Sequence, residues 1–110
     1  MIRLAKPYIT ETTIEKVAEV LRSGNLVQGQ YVREFEAALE KYLGVEHAIV
    51  VSSGTAALHL SLLATGIGPG DEVIVPAFTF PATVNVVEIV GAIPVLVDIT
   101  LEDYCIDVTK

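Results

Sequence analysis

The sequence has no tryptophan, one cysteine and only 6% aromatic residues among its 110 positions. A single cysteine, Cys105, excludes an internal disulfide, and with it the stapled architecture of small secreted domains. The chain therefore reads as an intracellular, cytoplasmic protein. Basic residues are also few: seven lysines and arginines stand against fourteen acids, for a net charge of −7. The basic seven, Arg3, Lys6, Lys16, Arg22, Arg33, Lys41 and Lys110, are scattered, so nothing resembles the clustered cations that a nucleic-acid backbone requires. Two histidines, His47 and His59, lie far apart, and no Cys/His spacing suits a metal. The N-terminus MIRLAKPYIT has no apolar leader. No uninterrupted apolar run reaches the length of about 18 residues that would suggest a membrane-spanning helix.

What is present is aliphatic. The chain is 52% hydrophobic, with a mean hydropathy of +0.57. Small domains bury only about two-thirds of the surface that their unfolded chains expose. The aliphatic excess thus implies a cover from outside these residues.

Residues 12–23 have helical periodicity, with Ile14, Val17, Ala18 and Leu21 on one face. Thr12 and Glu15 fit a capping box, and Gly24 a C-terminal cap. After the loop GNLVQG, a second helix is expected over 32–43. Its stripe is Val32, Phe35, Leu39 and Tyr42, and Gly44 ends it. The pattern then changes to short apolar runs divided by glycine and proline. Strands are expected at 48–52, 72–75 and 94–98, each buried on both faces as in a parallel sheet. Helices are expected at 55–65, apolar nearly all round and hence buried, and from Pro81 to Gly91. Strands alternating with helices predict an α/β fold, a partial three-layer sandwich on a short, mainly parallel sheet. Residues 1–44 form a helical lead-in, 45–110 the start of the α/β domain, and the whole a single truncated domain. The tail from Ile99 reads as polar and irregular.

Two segments carry chemistry. In VVSSGTAALHL, residues 50–60, an apolar run ends in Ser52-Ser53-Gly54-Thr55 and a helix begins at once. The unpaired N–H groups and positive dipole end of such a helix favour a phosphate. Gly54 permits close approach, and the hydroxyls of Ser53 and Thr55 can add hydrogen bonds. Ordinary helix capping explains the same residues. In GDEVIVPAFTFPATVN, residues 70–85, Phe78 and Phe80 follow the carboxyl end of a strand, where ligands of open α/β sheets bind. They could stack on a flat ring, or simply pack into the core. His59 reads as a packed helix residue, Asp98 as a turn residue, Glu88 as a solvated helix face and Cys105 as inert.

Taken in order, the runs SGTAAL, GIGPGDEVIVP, the aromatic before ATVN and GAIPVLVD resemble the DegT/StrS family of pyridoxal-phosphate (PLP) sugar aminotransferases. The resemblance runs from about Pro7 to Asp107. It implies the aspartate-aminotransferase type of fold, a PLP cofactor, an amino donor, a nucleotide-linked keto sugar as substrate, and a homo-oligomer. Residue by residue, it implies that Gly54 and Thr55 hold the cofactor phosphate and that Phe80 stacks on the pyridine ring. Phe78 corresponds to no functional position and is left as packing. The loop Asn25–Gly29 resembles one at the rim of the family's active site.

The family's cofactor-bearing lysine, and the acid beside the pyridine nitrogen, lie downstream of the matched region. Lys6, Lys16, Lys41 and Lys110 do not correspond to that lysine, so no catalytic residue is expected here. The expected function is that of an N-terminal portion of an aminotransferase, inactive alone. The alternatives are a non-catalytic or dimerising α/β module and a weak phosphate-ligand binder. The resemblance extends to dehydrating members of the family, in which the lysine is replaced, and nothing in these residues separates the two. In the family fold, later strands separate 48–52 from the next two. The expectation follows that 48–52 keeps two open edges here, and either closes onto 72–75 or pairs between chains.

Overall fold

The computed structural model describes residues 5–110; Arg3 lies outside them. The chain divides into two compact units, Met1–Val50 and Val51–Lys110.

The first unit holds helices α1 (Glu11–Ser23) and α2 (Gln30–Leu43). Thr10, not Thr12, caps α1: its hydroxyl oxygen accepts the Thr13 N–H at 3.2 Å. The expected Thr12–Glu15 box does not form, because the helix starts earlier, at Glu11, and Thr10 already serves its first turn. Gly24 and Gly44 end the two helices as expected. Both have φ of 68°, a left-handed value that glycine reaches without strain. Tyr31 on α2 donates to the Glu19 carboxylate of α1 at 3.0 Å, and this bond raises the phenol's pKa. The stripe Ile14, Val17 and Leu21 is exposed, as are Phe35 and Tyr42; neither helix has a buried residue.

In the second unit the order is α3 (Gly54–Ala64), β1 (Glu72–Pro76), α4 (Ala82–Ile89) and β2 (Ile93–Val97). β1 and β2 pair in parallel, with Glu72 opposite Ile93 and Pro76 opposite Val97. This is the expected α/β arrangement. Pro76, which has no N–H to give, ends its strand. α4 packs on both strands and on α3. The core is Val75, Val87 and Ala92, flanked by Leu62, Ile67, Val73, Val84 and Val90. Pro81 opens α4 with helical angles.

Three expectations about the apolar runs fail. Residues 48–52 join no strand, and among the described residues the sheet is β1 and β2 alone, so closure of 48–52 onto 72–75 does not occur. The two strands that do form are not buried on both faces: Val75 faces the core, while its neighbour Ile74 is 63% exposed. Alternation puts these two side chains on opposite faces, and only one face has a helix on it. Helix α3 has no buried residue, with Leu58, Leu60 and Leu63 all exposed. An all-round apolar helix needs neighbours on every side, and among the described residues α4 is its one close element.

The tail is more ordered than its composition implies. Ile99 and Ile106 form an antiparallel bridge around a turn, and Tyr104 has φ of 60°. Asp103 accepts from the Thr100 hydroxyl and from the Cys105 N–H. Asp107 accepts from the Thr109 hydroxyl at 2.6 Å and the Thr109 N–H at 2.9 Å. These bonds hold both carboxyls below their ordinary values, with the hydroxyl donors the main cause. A carboxyl lowered by folding contributes stability above its unfolded pKa of about 3.9, and that contribution is lost as pH falls through the folded value. The turn should therefore stay ordered at pH 4 and loosen only in stronger acid. The amide shifts of Cys105 and Thr109 report it; midpoints at or above the ordinary aspartate value would contradict the assignment.

Candidate functional site

The site grows from the start of α3. Ser53 has extended backbone angles and caps the helix: its side-chain oxygen accepts the Ala56 N–H at 3.1 Å, and its carbonyl accepts the Ala57 N–H at 3.0 Å. The N–H groups of Gly54 and Thr55 remain, with no acceptor among the described residues. The Thr55 hydroxyl is likewise without a partner there, whereas that of Ser61 donates to the Ala57 carbonyl. Two free amides and a hydroxyl, at the positive end of an 11-residue helix, make a donor set suited to an anion.

Gly54 leaves open space at the helix start. Its φ lies outside the left-handed range, and a Cβ built on it meets no atom within 4 Å. Neither backbone conformation nor packing among the described residues requires glycine at this helical position, where alanine would be the better helix former. A close neighbour from outside the chain would require it.

A cleft of about 540 Å³ joins this helix end to the start of α4. Gly54, Thr55, Leu58, Ser61, Phe80 and Thr83 line it. The structure thus brings the three candidates from the sequence, Gly54, Thr55 and Phe80, into one cleft. Its size falls within the usual range for small-ligand sites, about 300–1,000 Å³. Phe80 is 75% exposed, so its ring face is free to stack on a planar group. These residues fit pyridoxal phosphate: amides and a hydroxyl for the phosphate, an aromatic face for the ring.

Ser61 and Thr83 were not singled out from sequence. Ser61 lies seven residues after Gly54, two helical turns along the same face, and that spacing was the available signal. Phe78 does not pack into the core. It is exposed and meets Tyr104, ring centres 5.8 Å apart at 39°. Asp98 is not in a turn: it lies between β2 and the Ile99–Ile106 bridge, accepting the Ile99 N–H on its side chain and the Asp107 N–H on its carbonyl. Glu88 and Cys105 are exposed, and His59 is half-buried. Among the described residues no group of three potential metal ligands exists, and no helix is long and apolar enough to cross a membrane.

Comparison with known proteins follows the same outline. The profile of the DegT/DnrJ/EryC1/StrS aminotransferase family matches residues 7–110. The chain is 46% identical over 105 residues to UDP-4-amino-4-deoxy-L-arabinose--oxoglutarate aminotransferase of Shewanella sediminis. That match covers 96% of this chain and 27% of the relative. It is 44% identical over 100 residues to 3-oxo-glucose-6-phosphate:glutamate aminotransferase of Bacillus subtilis, covering 91% of this chain and 23% of the relative. A proposed sugar aminotransferase of Streptococcus pneumoniae, solved in its PLP form, superimposes with a TM-score of 0.88 at 42% identity. That superposition covers 96% of this chain and 27% of the other. The chain therefore spans about a quarter of the length of the relatives it matches.

Proposed function

The chain belongs to the DegT/DnrJ/EryC1/StrS aminotransferase family, and from that premise we propose that its residues supply the phosphate- and ring-binding half of a PLP site. Gly54 and Thr55 hold the phosphate through backbone N–H groups and the Thr55 hydroxyl; Phe80 covers one face of the pyridine ring. The observation that carries this reading is the shared cleft, which joins unpaired donors to an exposed aromatic face. PLP, when bound, supplies the electron sink that amino-group transfer needs. These residues bind and orient it; none of them is assigned a catalytic role. The 110 residues are accordingly proposed not to transaminate by themselves.

In the protein they represent, the proposed reaction moves an amino group from a donor such as glutamate to a nucleotide-linked keto sugar. The Shewanella sediminis relative, by its name, handles a UDP-linked sugar. A second reading, a phosphorylated keto sugar, is favoured by the Bacillus subtilis relative. We further propose a cytoplasmic homo-oligomer, in which residues 1–44 lead into an α/β domain. The exposed aliphatic faces of α1 and α3 support association with a covering surface.

Binding can be tested on the chain itself. Pyridoxine 5′-phosphate is the suitable probe, because it keeps ring and phosphate but has no aldehyde to react with lysines. Titration should shift the amide signals of Gly54 and Thr55 and the ring signals of Phe80. Unphosphorylated pyridoxine should bind far more weakly. Thr55→Ala should weaken binding about tenfold to a hundredfold, the usual loss for one hydrogen bond to a charged group. Binding that is indifferent to the phosphate, or to Thr55, would rule the site out.

A further inference from the structure

The segment just before the anion turn joins no strand, yet two of its backbone amides are not free. The Ala48 N–H donates to the Glu40 carboxylate at 3.1 Å, and the Val50 N–H donates to the Glu36 carboxylate at 3.0 Å. All four groups are partly buried. The pattern is a ladder. Glu36 and Glu40 lie four residues apart on α2, hence on one face, with a rise between them of about 6 Å. Two residues of extended chain advance about 6.6 Å, and alternate N–H groups point to the same side. The two repeats match, and the chain reversal at Gly44 makes the order antiparallel: the later glutamate meets the earlier amide. The expected pair of open edges is therefore one open edge. The side bearing the Ala48 and Val50 N–H groups is occupied by carboxylates; the Ile49 N–H has no acceptor among the described residues.

The arrangement also accounts for an otherwise unfavourable choice. Like charges at i and i+4 destabilise a helix. Glutamates at both positions make sense where each has a backbone donor to accept from, and such charge-assisted bonds are stronger than neutral ones.

We propose that Glu36 and Glu40 are positioning residues for the anion turn. They fix the backbone of Ala48 and Val50, and Val50 is followed within four residues by Ser53, the cap, and Gly54, the first phosphate contact. A segment ordered before the ligand arrives need not be ordered by binding, so the clamp raises affinity without touching the ligand. The proposal rests on the cofactor reading given above, and one experiment separates the two.

Backbone amide exchange and pyridoxine 5′-phosphate titration would be measured on the full 110-residue chain and on two double variants, Glu36→Ala/Glu40→Ala and Glu36→Gln/Glu40→Gln. Glutamine keeps a carbonyl acceptor at each position; alanine removes it. In the unaltered chain, Ala48 and Val50 should exchange more slowly than unprotected amides. In the alanine pair that protection should fall about tenfold. Affinity should fall about threefold to tenfold, while the amides of α3 and α4 keep their native shifts. The glutamine pair should recover most of both. Exchange at Ala48 and Val50 as fast as in unprotected amides overturns the clamp, whatever the ligand does. Loss of protection with unchanged affinity overturns the positioning role. If no variant binds the probe but the protection pattern holds, the cofactor reading and the positioning role both fall and the clamp alone stands. Should the alanine pair unfold, the glutamine pair decides, since its failure to protect the two amides is equally fatal.

Discussion

Val87→Asp should abolish the native fold of residues 51–110. Val87 is 1% exposed, the most deeply buried side chain in the described residues, and it meets the core with Val75 and Ala92. No buried polar or charged side chain exists among those residues to pair with a carboxylate. An unpaired charge in such a place costs several kcal/mol, or forces the group to take up a proton at a similar cost. The reserve available is small. Among the described residues only Val75, Ala82, Val86, Val87 and Ala92 are buried, while even well-packed domains are stable by only about 5–15 kcal/mol. The expected result is collapse of the amide dispersion of β1, β2 and α4, and loss of a cooperative thermal transition. A dispersed, cooperative Val87→Asp protein would show that this core does not hold the sheet.

Much of this core was legible in the sequence, for reasons that differ by element. β1 and β2 were found because each apolar run is cut by proline or glycine and followed by a helical pattern, and the two can satisfy each other in parallel. Helix ends were found because glycine with positive φ leaves few alternatives: Gly24 and Gly44 behave as their residue type requires. Residues 48–52 are just as apolar as 72–75, yet they form no strand. A strand is a paired state, and the residue pattern states only readiness to pair. The family resemblance implies later strands between 48–52 and the next two, and among the described residues no strand takes their place, β1 included. Burial failed for the same reason. α3 is apolar all round, which describes what the helix can bury and not what is there to bury it.

The site shows the same division. Gly54, Thr55 and Phe80 became candidates because a helix start and an aromatic after a strand are local features, and the family resemblance selected Phe80 over Phe78. Their meeting in one cleft depends on α3 packing on α4, which no local pattern states. The clamp was legible only in retrospect. Glu36 and Glu40 look like any solvated helical pair until the turn at Gly44 carries the chain back beside them.

Gly54→Ala should separate folding from binding. The built Cβ meets nothing within 4 Å, and the position is helical without a left-handed φ. Alanine therefore brings no strain, and it limits the unfolded chain more than glycine does, so stability should hold or rise by about 0.5–1 kcal/mol. The same methyl would stand at the wall of the cleft, beside the amides proposed to hold the phosphate. A phosphate oxygen hydrogen-bonded to those N–H groups at about 2.9 Å leaves little room for an added carbon. Binding of pyridoxine 5′-phosphate should fall about tenfold or more, as expected when one or two charge-assisted bonds are lengthened or lost. Thermal denaturation and titration on the same sample measure the two effects. A variant that gains stability and loses the phosphate shows that glycine is kept at 54 for a ligand. A variant that gains stability and binds as before would leave Gly54 without a role in this cleft, and would move the phosphate elsewhere.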